Sequence, residues 1–145
     1  MESNKHHSLV KKMYDYVVEG LDVEKRLVET DIFEVNGAVP RMSEGFVPDL
    51  YYNYNNQIII GEAKTEQDME REHSLQQYNS YSNFLHKYSL LGYDCIFIIS
   101  VPWQASVSAS RIIRKIFNYP NCNIELVIFN EMGVYKKYEK NKIEQ

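Results

Sequence analysis

The sequence predicts a single α/β domain, a three-layer sandwich in which helices flank a mixed central sheet. Its core has the order αβββαβ, and a C-terminal helix and strand follow. Three observations predict this. Two runs, CIFIISV and LVIF, are nearly all apolar and strand-sized, as strands buried on both faces should be. A helix-length amphipathic segment lies between them, which implies a right-handed parallel crossover. Upstream, two extended runs flank Asn55-Asn56, and asparagine tolerates the left-handed conformation of a tight hairpin turn.

The elements follow in order. Leu9, Met13, Val17 and Leu21 recur at four-residue spacing, an apolar stripe predicting a helix from about Lys5 to Leu21 with Lys11, Lys12 and Asp15 on its wet side. Leu27, Val28, Ile32 and Phe33 predict a strand from Arg26 to Phe33, and Glu34 to Gly45 reads as a loop. FVPDLYYNY and QIIIGEAK form the antiparallel hairpin. Tyr78, Tyr81, Phe84, Leu85 and Tyr88 then share one helical side. That helix has two candidate starts, Thr65 with Asp68 or a Ser74-Gln77 capping box. Asp94 to Val101 is a buried strand, and Ala105 to Phe117 is a helix with Ala109, Ile112, Ile113 and Ile116 inward. Ile124 to Phe129 is the last strand. The core thus spans about 5–130, and the tail 131–145 reads as solvated from Lys136 onward.

A chain of 145 residues suits one core better than two. With 44% hydrophobic and 25% charged residues it is ordinary globular protein, neither a disordered tail nor a disulfide scaffold. No apolar run approaches the ~20 residues of a membrane helix, and MESNKHHS lacks a signal core, so a cytoplasmic location is expected. Cys95 and Cys122 are accordingly expected as free thiols. The net charge of −4 excludes coating nucleic acid by bulk charge and leaves only local patches for it.

The hairpin carries the chemistry. Strand side chains alternate, so Glu62 and Lys64 share a face while Ala63 points away. A turn centred on Asn55-Asn56 pairs Tyr54 with Gln57, Asn53 with Ile58 and Asp49 with Glu62. Two carboxylates with Cβ atoms ~4.5–5.5 Å apart repel. A divalent cation between them reverses that sign, and Mg²⁺ takes one or two protein carboxylates plus water. Lys64 would then sit beside a metal-bound water, an arrangement suited to phosphodiester hydrolysis.

Pro48-Asp49, Glu62-Ala63-Lys64, and Gln77 with Tyr81 together resemble the PD-(D/E)XK nuclease superfamily, the restriction-endonuclease-like fold. The resemblance covers about Lys5 to Val101. It implies Mg²⁺ or Mn²⁺ held by Asp49, Glu62 and the backbone carbonyl of Ala63, with Lys64 assisting the attacking water. Gln77 and Tyr81 match the Gln-x-x-x-Tyr element of several of its families. An acidic residue on the first helix often completes the site, and Glu19 is the best placed, with Glu24 in reserve. Arg41 and Ser43, upstream of Pro48-Asp49, are loosely similar to a pattern of Holliday-junction resolvases, without the basic surroundings of that pattern.

Plainer readings stand beside these. Gln77 could belong to the capping box, Tyr81 to the core, and Glu19 to solvent. His73 could face the site, although a surface histidine is the better reading, and His6, His7 and His86 are read as surface outright. Arg41 could reach a phosphate or pair with a carboxylate. Arg111, Arg114 and Lys115 are either the wet side of their helix or a backbone-phosphate contact. The expectation is a Mg²⁺-dependent DNA endonuclease acting on double-stranded or branched DNA, as a homodimer or a subunit of a larger assembly. The alternative is a non-catalytic nucleic-acid-binding or assembly module that retains the fold.

Overall fold

The computed structural model describes residues 4–30, 45–118 and 123–139. Helix α1 is Asn4–Gly20. Strands β1 (Glu29–Thr30), β2 (Leu50–Tyr54) and β3 (Gln57–Ala63) follow, then α2 (Glu72–Leu90) and β4 (Asp94–Ser100). The chain ends with α3 (Ser106–Ile116), β5 (Ile124–Asn130) and β6 (Gly133–Tyr138). The six strands make one sheet in the order β1-β2-β3-β4-β5-β6. Strands β3, β4 and β5 are parallel, and the other pairings are antiparallel.

The hairpin register follows from its turn. Asn55 and Asn56 both adopt left-handed backbone, with φ of 56° and 63°, the pair of values that a two-residue turn matched to strand twist demands. Tyr54 therefore pairs with Gln57 and Asn53 with Ile58, and the ladder runs on to Leu50 opposite Gly61. Parallel β3 and β4 are joined through α2, and parallel β4 and β5 through α3, so helices must cross the faces. On one face α2 and α3 bury Tyr78, Tyr81, Leu85, Ala109 and Ile113 against Ile58, Ile60, Phe97, Ile99 and Ile128. On the other, α1 buries Leu9, Val10, Met13 and Val17 against Leu50, Ile59, Ile98 and Val127. The result is the three-layer sandwich that the sequence predicts.

Three expectations are corrected. The segment expected as a strand from Arg26 to Phe33 opens with a 3₁₀ turn, Lys25–Leu27, and pairs with β2 only through Glu29 and Thr30; Ile32 and Phe33 lie outside the described residues. The tail is exposed but not irregular throughout, because Gly133–Tyr138 forms β6 along β5, with an irregularity between Ile128 and Phe129. Neither candidate start of α2 caps it. The helix begins at Glu72 after an extended Arg71, Thr65 Oγ1 bonds Asp68 Oδ2 at 3.1 Å in the preceding turn, and Ser74 is already inside the helix. Cys95 is a buried free thiol, and Cys122 lies outside the described residues. Among the described residues, no helix is long and apolar enough to cross a membrane.

Candidate active site

Pro48-Asp49 enters β2 and Glu62-Ala63-Lys64 leaves β3, so both reach the same end of the hairpin. One step beyond the Leu50–Gly61 pair, the register brings Asp49 opposite Glu62. The Ala63 N–H donates to Asp49 Oδ2 at 2.9 Å and fixes that carboxylate against the strand end. Glu62 shares the parity of Ile58 and Ile60, whose side chains lie under α2, and it meets that helix too: the Tyr81 hydroxyl donates to Glu62 Oε1 at 3.0 Å. Lys64 Nζ lies 3.5 Å from Glu62 Oε2 and donates to Gln77 Oε1. Gln77 and Tyr81 are one helical turn apart, so one face of α2 addresses both partners.

Asp49, Glu62 and Lys64 are 6%, 3% and 9% exposed. Ionisable side chains are almost never that buried unless paired, and each of these has the partner just described. Burial pushes the Glu62 carboxyl well above its ordinary range, and the charge of Asp49 pushes the same way. Lys64, the Tyr81 hydroxyl and His6 pull it back. The cluster therefore holds opposed carboxylates that an added cation would relieve. Its donors are hard oxygens, which suits Mg²⁺. Among the described residues no three His, Cys, Asp or Glu side chains group to hold a metal. The protein would supply two carboxylates and leave the remaining positions to water and substrate, the ligand count that Mg²⁺ accepts. A metal role for the carbonyl of Ala63 rests on the family resemblance alone.

The structure adds His6, which sequence reasoning placed on the surface. His6 Nε2 sits 3.2 Å from Asp49 Oδ2. The first turns of α1 are held there by Ser100, whose carbonyl accepts the Lys64 N–H at 3.0 Å while its hydroxyl donates to the Leu9 carbonyl at 2.9 Å. Close approach of α1 also needs Gly61, where a Cβ would stand 2.6 Å from Met13 Sδ. The signal was present in the sequence: His6 extends the buried stripe of Leu9, Val10, Met13 and Val17 into the first turn of the helix.

Other expected site residues are elsewhere. Glu19 lies thirteen positions along α1 from His6, roughly 20 Å at the helical rise, and lines a separate groove with Lys12, Asp15, Phe129 and Glu131. It is corrected from a site residue to an exposed one, because it is the first turn of α1, through His6, that reaches Asp49. Glu24 pairs with Arg26 at the surface, at 3.0 Å. Arg111, Arg114 and Lys115 lie exposed on α3, and the Arg114 guanidinium sits 4.6 Å from the centre of the Tyr138 ring. His73 packs its ring edge-on against Phe46. Arg41 and Ser43 lie outside the described residues.

No protein-family model matches the chain, and no curated protein matches it. Among solved structures it is similar to SfsA from Pyrococcus furiosus in complex with Ca²⁺, at 12% identity and a TM-score of 0.46. That match covers 96% of the present chain, which spans 65% of the length of the SfsA chain. Likeness at this level carries no chemical information.

Proposed function

We propose that this chain is a metal-dependent DNA endonuclease of the PD-(D/E)XK kind. The observation that carries the reading is the burial of Asp49, Glu62 and Lys64 together at one end of the hairpin, with Gln77 and Tyr81 of α2 bonded to Lys64 and Glu62. A divalent cation between the carboxylates would supply Lewis acidity and a bound water of lowered pKa. The residues of the chain prepare the rest. Tyr81 keeps one Glu62 oxygen hydrogen-bonded and so favours its charged form, while the Ala63 N–H holds the Asp49 carboxylate in place against the strand end. Gln77 and Glu62 hold the Lys64 ammonium between them, where it neutralises charge developing on the phosphoryl oxygens or orients the attacking water. In-line attack on phosphorus then breaks the bond to the 3′ oxygen, leaving 5′-phosphate and 3′-hydroxyl ends.

The reading includes a cytoplasmic location, where DNA and Mg²⁺ are both at hand and the buried thiol of Cys95 stays reduced. It also includes a homodimer or larger assembly, which would widen the DNA contact of so small a domain. The net charge of −4 favours a second reading, a binding or assembly module that keeps the fold without cutting. Supercoiled plasmid and branched DNA incubated with Mg²⁺, Mn²⁺ or EDTA decide between them. Divalent-dependent nicking that Lys64→Ala abolishes supports the nuclease; DNA binding without nicking in any divalent cation supports the module.

A further inference from the structure

A groove of about 420 Å³ runs along α2 beside the candidate site, lined by Phe46, Gln76, Asn79, Ser80 and Asn83. Its walls adjoin the site in sequence. Phe46 lies three residues before Asp49, Gln76 precedes Gln77, and Ser80 precedes Tyr81. Gln76, Asn79 and Asn83 recur at helical spacing and form one exposed stripe of carboxamides. The Asn79 amide nitrogen bonds the Leu75 carbonyl at 3.0 Å, which fixes the plane of that amide. The half-buried Phe46 ring also meets the His73 ring edge-on, with ring centres 5.5 Å apart.

The chemistry of this lining is specific. The chain has 20 acidic residues against 16 Lys and Arg, yet among the described residues no carboxylate lines the groove, so a phosphate backbone meets little repulsion from those walls. Carboxamides donate and accept at once, as nucleobase edges do. An aromatic wall offers a stacking surface to any base, but only to a base whose face and pairing edge are free. A fully paired duplex presents neither.

We infer that this groove binds an unpaired nucleotide of a DNA strand, its base stacked on Phe46 and its edge bonded by Gln76, Asn79 and Asn83. The inference deepens the nuclease reading and rests on it: the substrate is DNA with a single-stranded arm, drawn along α2 so that the neighbouring phosphodiester reaches Lys64.

Fluorescence anisotropy tests it on the Lys64→Ala protein in Mg²⁺, with labelled splayed-arm DNA and a blunt duplex of equal length and charge. The splayed arm should bind tighter by on the order of tenfold, the size of one base stack. Phe46→Ala and the double variant Asn79→Ala/Asn83→Ala should each bring the two affinities within about a factor of two. The second variant changes only exposed side chains, so it reports even where Phe46→Ala fails to fold. Equal affinity for both DNAs, or a preference that survives the double variant, overturns the inference whether or not plasmid is nicked. A preference that both variants erase, in a protein that cuts no DNA with any divalent cation, upholds the groove and overturns the nuclease reading instead.

Discussion

Replacing Asp49 by Asn tests the opposition of the two carboxylates directly. The register sets Asp49 against Glu62 across a short antiparallel pair, and two unit charges ~5 Å apart at an effective dielectric constant of ~20 repel by about 3 kcal/mol. The substitution also weakens the hydrogen bonds that Asp49 Oδ2 makes with the Ala63 N–H and His6, costing about 1–2 kcal/mol. A net stabilisation of about 1–2 kcal/mol remains, worth roughly 3–6 °C in a chain of this size. The gain depends on pH in a defined sense. Glu62 is held well above its ordinary value of 4.5, by burial first and by Asp49 next. Its contribution to stability is full below 4.5 and is lost as pH rises through the raised folded value. Without the charge of Asp49 that folded value falls, so less stability is lost. Thermal unfolding by circular dichroism in EDTA should therefore show Asp49→Asn above wild type at pH 8 and no better at pH 4. Millimolar Mg²⁺ should reverse the order at pH 8, because binding to the native state stabilises wild type and not the variant. A variant that melts at or below wild type in EDTA at pH 8, with a parallel pH profile, would refute the opposed-carboxylate geometry.

Lys64→Ala should slow single-turnover cleavage by ~10²–10³ with DNA affinity nearly unchanged, since the lost interaction forms chiefly in the transition state. Gln77→Ala should cost less in rate than Lys64→Ala and, by removing a hydrogen-bond partner of the buried Lys64 ammonium, should lower stability by about 1–3 kcal/mol; lowered stability with an unchanged single-turnover rate would leave Gln77 a purely structural partner. Tyr81→Phe removes the donor to Glu62 and should raise the Glu62 carboxyl further, weakening calorimetric Mg²⁺ affinity by roughly 5–10-fold. Gly61→Ala drives a methyl into Met13 and should destabilise by about 1–3 kcal/mol in denaturant titration. Arg114→Ala with Lys115→Ala should shallow the salt dependence of DNA binding if α3 touches phosphates, and an unchanged slope would leave that helix as solvated surface.

What the sequence revealed and what it hid follow from where specification is local. The Asn55-Asn56 turn fixes the hairpin register by its own backbone, so the facing of Asp49 and Glu62 could be read six residues away on either side. The buried strands β4 and β5 announce themselves because both faces are covered. Strand β6 does not, since most of Gly133–Tyr138 is exposed on both faces. Pairing along β5 holds it, together with Tyr138, which meets Ser110 and Arg114 of α3. No periodicity in GVYKKY records any of those contacts. The error over Glu19 has a similar cause. An apolar stripe identifies the buried face of α1 but is nearly unchanged when the helix is reversed, so it cannot say which end reaches Asp49. That choice is made by Ser100 gripping the Leu9 carbonyl and by the narrow space above Gly61.

The same comparison explains why the site was the most legible part of the molecule. Ile58, Ile59 and Ile60 are all fully buried, and the strand then places Glu62 and Lys64 in surroundings nearly as dry. Burying ionisable groups costs more than burying apolar ones of similar size unless each is paired. A strand selected for stability alone would have continued in Val or Ile. Here the charges are kept, and four other parts of the fold are arranged around them: the Ala63 N–H, Gln77, Tyr81 and His6. A local rule broken at the end of a buried strand, with its compensation assembled from α1, α2 and the strand end itself, is the pattern the proposed site requires. The break itself lies in the sequence, while the compensating contacts are made only by the tertiary structure.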